Sequence, residues 1–598
     1  MNYLLLTLGH NSSAIFVDNS GAQQRIVGYE QERLSRIKAD SQFPIDAINE
    51  IEKVVGISTM QGCTIFISHW FNSMANAISN KYFTLENSRK LLSYNPSDTM
   101  LVDDLFTHHD AHAYSALAFV KHYKFEPAFS KMKNFGPLNI LVVDGFGTDC
   151  EVLSLYETDE SYTAISKLKK RVYGYQYSLG LFYQYATSYV GMKENQDEYK
   201  FLGYEAHIDE EFKDTDIDAL DFLVSKASEY FLNAFEKDTS NLITRATSDN
   251  RVIDLDSLKS AREVFNEMFD DVMAAINFTS KTSFGARVAI AYFIQQTCEK
   301  VLTTFIKNNN IKNIALAGGV FYNVKLNNTI LNSVQGSFSV MPLAGDQGAA
   351  IGMYEHYKSS ADKAFSFETL SWGVRNLYNF EKLASSNEKI HYRTISRDFG
   401  KDVSAEIHLN SVAKEIAKLI SEGTLVDVVC GNMEFGPRAL GHTSTLFLPS
   451  AHAAALNNIM NKRNEVMPCA PICNAEQAVE LFDIDELTRV IGSDRFMICT
   501  HEYIPQYSGA YGGVMHKKTL ADKKFTGRPQ VVRGGSFMDM ILTEVQKLTD
   551  FKCLVNTSFN VHGNPIVFGT KDIIDNFVFQ CEHAEPGTHV ELFVIELV

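Results

Sequence analysis

The sequence predicts an α/β protein with two domains. At 598 residues the chain is too long for a single hydrophobic core, and its 45% hydrophobic content is enough to build two. Strand-like apolar runs alternate with amphipathic helical stretches along most of its length. One supersecondary unit also occurs twice in the first half, which predicts paired lobes with a cleft between them.

The repeated unit is a meander of three strands, found at residues 3–30 and again at residues 139–168. In each copy an apolar strand leads into a small polar loop, a second strand, a turn and a third strand. Small polar loops after a first strand can direct backbone N–H groups at phosphate. The repeat therefore predicts both an architecture and a place where a ligand binds.

Later elements follow from the spacing of apolar residues. Residues 287–307 have the pattern of an amphipathic helix, and residues 313–320 form a strand that runs into two glycines. Further on, residues 411–422 are predicted as a helix and residues 424–430 as a strand. Alternation of helix and strand continues to the end, so the second domain is also α/β.

Periodicity is lost between about residues 365 and 400, where the chain becomes polar. We therefore predict a first domain over residues 1–375, a linker over residues 376–400 and a second domain over residues 401–598.

Composition argues against several classes of protein. The net charge of −17 disfavours a general nucleic-acid coat protein, and no stretch resembles a membrane span of about 20 apolar residues. The apolar start is interrupted by His10 and Asn11, which favours a buried strand over a signal peptide. Nine scattered cysteines favour reduced thiols in the cytoplasm. The pair Cys469 and Cys473 lacks a second pair that would complete a metal-ligand set.

The strongest metal signal is Thr-His-His-Asp-Ala-His at residues 107–112. His108 and His112 are four residues apart, so on a helix they share one face. Neutral imidazoles on one face suit iron, zinc or manganese, and buried structural histidines are the alternative. Carboxylate ligands must come from elsewhere, and Asp144 after a buried strand and Asp346 in a Gly-Asp-Gln-Gly loop are the candidates.

Several loop residues have a functional and a structural interpretation. His10 titrates near neutral pH and can accept a proton from an attacking hydroxyl, or it can simply bind backbone. Lys200 can neutralise phosphate or form a surface ion pair. Gly318 and Gly319 allow a close approach to a ligand, or they form only a tight turn.

The second domain carries candidate phosphate ligands. Arg438, held between Pro437 and a turn of small residues, suits a pair of phosphate oxygens. Asn-Thr-Ser-Phe-Asn at residues 556–560 places short polar side chains at a strand end, where α/β sheets bind ligands. Arg528 adds a further guanidinium within the basic stretch 516–533, which is either a solvated face or an anion-binding loop.

Together these motifs resemble the O-carbamoyltransferase family of nodulation and antibiotic biosynthesis. The resemblance covers nearly the whole chain, and the motifs occur in family order. They are Gly-His-Asn-Ser-Ser, His-His-x-x-His, Asp144-Gly145, Ser178-Leu-Gly-Leu-Phe-Tyr, Glu198-Tyr-Lys, Gly-Gly with Asn323, Gly-Asp-x-Gly, Gly-Pro-Arg-Ala-Leu-Gly and Asn-Thr-Ser-Phe-Asn.

The resemblance implies a fold for each domain. The first would be actin/hexokinase-like, a duplicated ribonuclease H-like domain. The second would be an open twisted α/β sheet of the threonylcarbamoyl-adenylate-synthase type.

The resemblance also implies a two-step reaction. The second domain would form carbamoyl-adenylate from carbamoyl phosphate and ATP, and the first would transfer the carbamoyl group to a hydroxyl, releasing AMP. A divalent metal, with Fe²⁺ favoured over Mg²⁺ or Mn²⁺, would be held by His108, His112, Asp144 and Asp346. The candidate catalytic residues are His10, His109 and Arg438. The candidate nucleotide and carbamoyl phosphate ligands are Ser12, Ser13, Lys200, Gly318, Gly319, Asn323, Arg463, Arg528, Asn556, Ser558 and Asn560.

Three departures from the family pattern affect the predicted carbamoyl phosphate site. Thr443 precedes Ser444 where the family has an arginine-serine pair. In the next motif Asn461, Asn464 and Met467 replace a lysine, a glutamate and an arginine, and the family's Pro-Phe-Ala-Pro is Pro-Cys-Ala-Pro at residues 468–471. Lys462 or the basic stretch 516–533 would then have to compensate.

Alternative functions follow from these departures and from the fold. One is a nucleotide-binding regulator whose second site has decayed, and another is a kinase of the actin-like superfamily. For the enzyme, the acceptor would be a sugar, a natural product, or a hydroxymethylpyrimidine in a nucleotide or in DNA of phage type. The acidic net charge weighs against tight binding of a duplex.

Overall fold

The computed structural model describes residues 1–69, 82–95, 100–101, 106–243, 254–375, 377–385, 387–396, 403–463, 469–507, 510–517 and 524–597. The chain divides into two compact units. The first unit comprises Met1–Ile26, Ala39–Phe367 and Thr488–Ser493, and the second comprises Val27–Lys38, Glu368–Leu487 and Asp494–Val598. The main division therefore lies close to the predicted residue 375, but each unit also includes a short segment from the far side of it.

Two five-stranded sheets lie between residues 2 and 340. The strands of the first sheet are β1 (Asn2–Thr7), β2 (Ser13–Asp18), β3 (Arg25–Glu30), β4 (Thr64–Ser68) and β5 (Met100–Leu101). Those of the second sheet are β6 (Leu138–Val143), β7 (Glu151–Thr158), β8 (Ile165–Tyr173), β9 (Asn313–Ala317) and β10 (Phe338–Val340). Their orders are β3-β2-β1-β4-β5 and β8-β7-β6-β9-β10, so every strand has a counterpart.

Strand directions match as well. β1 is antiparallel to β2 and parallel to β4, and β6 is antiparallel to β7 and parallel to β9. The predicted repeat is therefore confirmed, together with the duplicated ribonuclease H-like architecture. β6 is buried at all six positions, because a central strand covered on both faces needs an unbroken apolar run.

Helices separate and cover these strands. In chain order they are α1 (Gln31–Ser35), α2 (Ile45–Val55), α3 (Ile57–Met60), α4 (Leu85–Tyr94), α5 (His108–His122), α6 (Pro127–Met132), α7 (Leu179–Tyr189), α8 (Glu198–Phe201), α9 (Ile208–Glu211), α10 (Asp214–Glu236), α11 (Leu255–Ala275), α12 (Phe284–Asn308), α13 (Val324–Ser333) and α14 (Ala349–Tyr357). The helix predicted at residues 287–307 is confirmed as α12. It begins earlier because the Ser283 hydroxyl accepts a hydrogen bond from the Ala286 N–H at 3.2 Å.

The second unit is built on a mixed sheet of seven strands. They are β11 (Ile390–Ile395), β12 (Leu425–Cys430), β13 (Thr443–Phe447), β14 (Ala470–Asn474), β18 (Gln530–Val532), β19 (Leu554–Ser558) and β20 (Val590–Leu597), in the order β11-β20-β12-β13-β19-β14-β18. A small sheet contains β15 (His501–Glu502), β16 (His516–Lys517) and β17 (Phe525–Gly527). The helices are α15 (Phe380–Ala384), α16 (Val403–Ser421), α17 (Ala451–Met460), α18 (Ala475–Leu481), α19 (Ile484–Leu487), α20 (Phe537–Leu548) and α21 (Thr570–His583).

The stretch predicted as a linker, residues 376–400, is instead part of the second unit. It contains α15 and β11, and β11 pairs in parallel with β20. Its polar sequence misled the prediction because β11 is an edge strand, five of whose six residues are not fully buried. An edge strand keeps polar side chains where a central strand does not.

The central strand β12 joins two hydrophobic cores. Leu425 and Val429 pack into the core on one face of the sheet, and Val426 and Val428 pack into the core on the other. Its burial on both faces explains the nearly continuous apolar sequence, and Asp427 is the exception. Across the described residues, every helix is too short or too polar to cross a bilayer.

Candidate functional site

Neighbouring parallel strands of the second sheet deliver residues to one edge. β6, β9 and β10 lie side by side and run in the same direction. Asp144 follows β6 directly, Gly318 follows β9, and Asp346 lies six residues beyond the end of β10. Because parallel strands end at the same edge of a sheet, these residues gather there despite the roughly 200 positions between them.

The two candidate histidines enter this edge on helix α5. Thr107 caps the helix: its hydroxyl accepts from the Asp110 N–H at 3.2 Å, and the Asp110 carboxylate accepts from the Thr107 N–H at 3.0 Å. The His108 N–H also donates to the Thr148 hydroxyl at 3.0 Å. The start of the helix is thus fixed, and with it the directions of the imidazoles.

All four predicted metal ligands converge. His108 Nε2 lies 3.2 Å from Asp144 Oδ2 and 3.3 Å from Asp346 Oδ1, while His112 Nε2 is 3.7 Å from both oxygens. The two Nε2 atoms are 3.1 Å apart, and one ligand atom from each residue lies within 4.8 Å of every other. The side chains are between 0% and 13% exposed, so the cluster is enclosed.

Electrostatics within the cluster are strongly coupled. Burial disfavours charge on His108, but the carboxylates of Asp346 and Asp144 outweigh it and raise its pKa to about 10. Burial likewise opposes ionisation of Asp144, yet the hydrogen bond with His108 and the nearby histidines lower its pKa to about 2. His10 and His108 hold the pKa of Asp346 well below its usual range against the same effect of burial. Two buried carboxylates therefore stay ionised and require positive charge between them.

The donor set fits a metal ion. Two imidazole nitrogens and two carboxylate oxygens facing one point are the mixture that divalent iron, manganese and zinc accept. His108 Nδ1 and His112 Nδ1 face away from the cluster and make no hydrogen bond among the described residues. The other ring nitrogen of each histidine, Nε2, faces the carboxylate oxygens at the position where an ion would bind. His108, His112, Asp144 and Asp346 would hold the ion.

The predicted double glycine supports Asp144. Gly318 has φ of +102°, and a Cβ there would lie 2.2 Å from the Val143 carbonyl oxygen, so only glycine fits. The Gly319 N–H donates to Asp144 Oδ1 at 2.9 Å. The other oxygen of Asp144, Oδ2, faces the histidines. The two glycines thus approach the end of β6 closely, and this strand end carries the candidate metal ligand Asp144.

His10 lies beside the cluster. Its Nδ1 is 3.6 Å from Asp346 Oδ2, and half of its side chain is exposed. Ser12 and Ser13 from the same loop are buried, and the Ser12 hydroxyl donates to the Asp40 carbonyl at 3.2 Å. The structure therefore brings His10 to the site and shows the two serines engaged in the fold.

His109 does not join the cluster, and its catalytic role stays a prediction. Its ring nitrogen Nδ1 lies 2.8 Å from the Ser154 hydroxyl, and its backbone N–H donates to Glu151 Oε1 at 2.8 Å. Burial holds the pKa of His109 well below its usual range, so the ring stays neutral. Next to His108 on a helix, its side chain must point elsewhere, and it anchors α5 to β7.

Two further predicted ligands have structural partners. Lys200 Nζ is 2.7 Å from Asp197 Oδ1, an ion pair three residues apart. Asn323 caps α13, because its Oδ1 accepts from the Leu326 N–H at 3.0 Å while its Nδ2 donates to Gln295 Oε1 at 2.7 Å. The contacts of Lys200 agree with its interpretation as an ion-pair residue, and those of Asn323 are the contacts of a helix cap.

In the second unit Arg463 meets the Asn-Thr-Ser-Phe-Asn segment. Its guanidinium donates to the Thr557 hydroxyl, to the Ser558 carbonyl at 2.8 Å and to Asn560 Oδ1 at 3.3 Å. The Ser558 hydroxyl in turn donates to Asn560 Oδ1 at 2.6 Å. The structure thus gathers one predicted arginine and two predicted polar ligands at the end of β19.

The remaining candidates of this unit are less closely grouped. Asn556 is buried, and its Nδ2 donates to Gln530 Oε1 at 2.6 Å and to the carbonyl of Ala439, the residue after Arg438, at 3.2 Å. Arg438 itself is half-buried. Arg528 Nη1 lies 3.5 Å from the Met497 carbonyl. Of the basic stretch predicted nearby, residues 518–523 lie outside the described residues.

Glu434 organises the loop that carries Arg438, a role that the sequence prediction missed. Its Oε1 accepts from the backbone N–H groups of Leu440, His442 and Thr443 at 2.8–2.9 Å, and its Oε2 accepts from the Thr443 hydroxyl at 2.7 Å. Burial opposes its ionisation, but His442, Arg375 and these hydrogen bonds lower its pKa overall. The only signal in the sequence was its place in Glu-Phe-Gly-Pro-Arg.

One family departure has a visible structural outcome. Asn461, at the position of a family lysine, is fully buried and donates through Nδ2 to Asn457 Oδ1 at 3.0 Å. Its Oδ1 accepts from Gln580 Nε2 at 3.1 Å. The position thus belongs to a buried amide network. Two other departures, Asn464 and Met467, lie outside the described residues.

Comparisons with known proteins cover both units. Residues 5–354 match the family described as carbamoyltransferase N-terminus, and residues 417–583 match carbamoyltransferase C-terminus. An uncharacterized protein of Methanocaldococcus jannaschii is 24% identical over 95% of this chain and 95% of its own length. Nodulation protein NolNO of Sinorhizobium fredii is 24% identical over 96% of this chain and 77% of its own. A crystal structure of full-length HypF, 16% identical, overlaps 29% of this chain and 20% of that one, with a TM-score of 0.20.

Proposed function

This chain belongs to the carbamoyltransferase family, and we propose that it forms carbamoyl-adenylate and transfers the carbamoyl group to a hydroxyl acceptor. The overall first reaction would consume carbamoyl phosphate, ATP and water and yield carbamoyl-adenylate, pyrophosphate and phosphate. The acceptor oxygen would then take the carbamoyl group, with AMP as the leaving group. The observation that carries the proposal is the convergence of two histidines and two aspartates in the unit that matches the family's N-terminal part.

The chemistry explains why ATP is needed. A carbamoyl group is a poor acyl donor, because its nitrogen donates electrons to the carbonyl carbon. Adenylation supplies a good leaving group. A divalent ion in the cluster, which we expect to be Fe²⁺, with Mn²⁺ or Mg²⁺ as alternatives, would bind nucleotide phosphate and offset charge as AMP departs.

The chain's own residues would handle the proton. His10 is half exposed, and its Nδ1 lies 3.6 Å from Asp346 Oδ2. In that position the imidazole can accept the hydroxyl proton of the acceptor at Nε2 as the oxygen attacks. The Asp346 carboxylate would orient the ring and stabilise its protonated form, as a carboxylate does beside a catalytic histidine.

Side chains of the second unit would bind phosphate. Arg463 already holds the Thr557 hydroxyl and Ser558, which are further groups able to contact phosphate oxygens. Arg438 is presented by a loop that Glu434 fixes through hydrogen bonds. A planar guanidinium matches two phosphate oxygens at once, which favours arginine over lysine at such positions.

The acceptor carries a hydroxyl group. Candidates are a sugar, a natural product, or a hydroxymethylpyrimidine in a nucleotide or in DNA. The net charge of −17 disfavours tight binding of a DNA duplex, so a nucleotide is the better nucleic-acid candidate.

A regulator with a decayed second site is the second candidate function. The buried amide network around Asn461 favours it, because that position offers no positive charge to phosphate. Such a protein would bind nucleotide without turning it over.

One experiment separates the candidates. The full chain, loaded with Fe²⁺ or Mn²⁺ under anaerobic conditions, is incubated with ATP, carbamoyl phosphate and each acceptor class. Nucleotide products and acceptor masses are then followed. We expect AMP together with an acceptor heavier by one carbamoyl group. ADP as the product would indicate a kinase, and unconsumed ATP with every acceptor class would indicate the regulator.

A further inference from the structure

Among the residues that the structure describes, the guanidinium of Arg375 in the second unit hydrogen-bonds only to neutral groups. It donates to the Thr443 hydroxyl and, at 3.4 Å, to the Phe568 carbonyl. Its Nε makes no hydrogen bond, and no carboxylate oxygen lies within 4.0 Å of its nitrogens, among the residues that the structure describes. A buried charge in this situation is unfavourable unless an anion compensates it.

The carboxylates nearest to its two partners are already engaged. Glu434, which accepts from the Thr443 hydroxyl, uses its other oxygen for three backbone N–H groups. Asp572 accepts from the N–H of Phe568 and lies 3.2 Å from the guanidinium of Arg36. These contacts orient the carboxylates of Glu434 and Asp572, and neither of them forms an ion pair with Arg375.

The electrostatic state of Arg375 agrees with this geometry. Burial lowers its pKa to about 10, and the more distant charges of Glu434 and Asp572 only partly offset the effect. The guanidinium still carries its charge at neutral pH. The residue as a whole is half-buried, although Nε itself is enclosed.

The position of Arg375 relates it to a departure noted in the sequence. Its direct partner Thr443 occupies the position of the arginine in the family's arginine-serine pair. Thr443 begins β13, the neighbour of β19, and its carbonyl accepts from the Phe559 N–H at 3.1 Å. Phe559 follows Ser558, which Arg463 contacts. Arg375 therefore places a guanidinium next to the strand end that gathers the other candidate phosphate ligands.

We propose that Arg375 is a phosphate-binding residue of the second unit and supplies the guanidinium that position 443 lacks. The inference deepens the proposed function, since it assigns a ligand to the phosphate-bearing substrates of that unit. Its planar group would give two oxygens of one phosphate a bidentate contact through two of its N–H groups. Both carbamoyl phosphate and ATP carry such a group.

Direct binding to the full chain tests the proposal. Isothermal titration with inorganic phosphate, carbamoyl phosphate and AMP, each alone, distinguishes the two sources of phosphate. Loss of one charge-assisted contact corresponds to about tenfold weaker binding or more, and we expect Arg375→Gln to show it for at least one ligand. The matched control is Arg393→Gln in the same unit, whose guanidinium lies 3.5 Å from Glu415. It should bind like the wild type.

A rescue variant excludes a merely structural role. Thr443→Arg introduced into Arg375→Gln should restore most of the affinity, because it returns a guanidinium to the same place. Arg375→Lys should lie between wild type and Arg375→Gln, and it serves if Arg375→Gln does not fold. The proposal is overturned if Arg375→Gln or Arg375→Lys binds every ligand like the wild type, if the wild type binds none, or if Thr443→Arg restores nothing.

Failure of this inference differs from failure of the proposed function. A protein that binds phosphate through Arg375 but carbamoylates no acceptor contradicts the proposed function alone. A protein that carbamoylates an acceptor, with the KM for carbamoyl phosphate and for ATP unchanged in Arg375→Gln, contradicts this inference alone.

Discussion

The candidate sites of the two units differ in how completely they are assembled. In the first unit, four donors from three distant segments lie within 4.8 Å of one another and face a common point. In the second unit most candidate ligands are engaged with the protein itself, as Arg463 is with Ser558 and Asn556 with Gln530. In the first site the donors are positioned by strand ends and by a capped helix. In the second site the candidates lie mainly in loops, and their side chains hydrogen-bond to other groups of the protein.

The difference shows at which of the two sites a ligand must displace existing hydrogen bonds in order to bind. An ion entering the first site meets ionised carboxylates and imidazoles already aimed at it, so little reorganisation is needed. A phosphate entering the second site competes with existing hydrogen bonds of Arg463, whereas Arg375 has an Nε without a hydrogen-bond partner among the described residues. Mutations of candidate ligands should therefore change the metal content when they lie in the first unit and the affinity for phosphate when they lie in the second.

The largest expected effect comes from removing a metal ligand. His112→Ala leaves two buried carboxylates with one imidazole, so we expect loss of bound metal and a fall in carbamoyl transfer of about a hundredfold or more. Metal analysis and single-turnover transfer from carbamoyl-adenylate measure this. His122→Ala, the same change on the same helix, is the control. Full metal content in His112→Ala would break the contrast between the two units.

A second large effect is expected in the loop of the second unit. Glu434→Ala removes the acceptor of three backbone N–H groups and of the Thr443 hydroxyl. We expect about 3 kcal/mol or more of lost stability and fast hydrogen exchange in residues 434–443, with metal content unchanged. Glu415→Ala, an exposed ion-pair partner, should cost under about 1 kcal/mol. Slow exchange in the Glu434 variant would show that the loop is held by other contacts.

A smaller effect depends on pH. Burial raises the pKa of Asp427 to about 8, from an ordinary value of 3.8. Between these pH values the unfolded chain ionises Asp427 and the folded chain does not, so its contribution to stability falls as pH rises. Asp427→Asn removes this dependence while its side-chain oxygen can still accept from Thr445. Relative to wild type, the variant should gain about 1 kcal/mol or more between pH 5 and pH 8. Thermal unfolding at both pH values checks this, and an equal difference at each would contradict it.

The smallest expected effect concerns Asn323. Loss of an N-cap side chain costs about 1 kcal/mol, so Asn323→Ala should lower the melting temperature slightly. Asn323→Ser keeps a capping oxygen and should lose less. If capping is its whole role, the KM for ATP stays unchanged in both variants. A KM raised in Asn323→Ala would restore the nucleotide contact predicted from the sequence.

The sequence predicted the fold where burial imposes a pattern. The meander repeat and α12 follow from apolar spacing, and both match the structure. The edge strand β11 lies in the stretch predicted as a linker, because a half-exposed strand has no such spacing. Val27–Lys38 in the second unit could not be foreseen, since membership of a unit depends on contacts distant in sequence.

For the sites, the sequence was informative about residue type and less so about side-chain direction. The spacing of His108 and His112 predicted a shared face, whereas no local pattern predicted that the ring of His109, a candidate catalytic residue, points to Ser154. Glu434 and Arg375 were missed because their roles depend on hydrogen bonds to Thr443 that no local pattern reveals.

Convergence of the four donors on one cation is the central claim, and anomalous diffraction tests it most directly. Crystals of the protein loaded with Fe²⁺ or Mn²⁺ should show one strong anomalous peak at about 2.0–2.3 Å from His108 Nε2, His112 Nε2 and an oxygen each of Asp144 and Asp346. A peak bound elsewhere, or these side chains around no peak in a protein that carries metal by elemental analysis, would contradict the account.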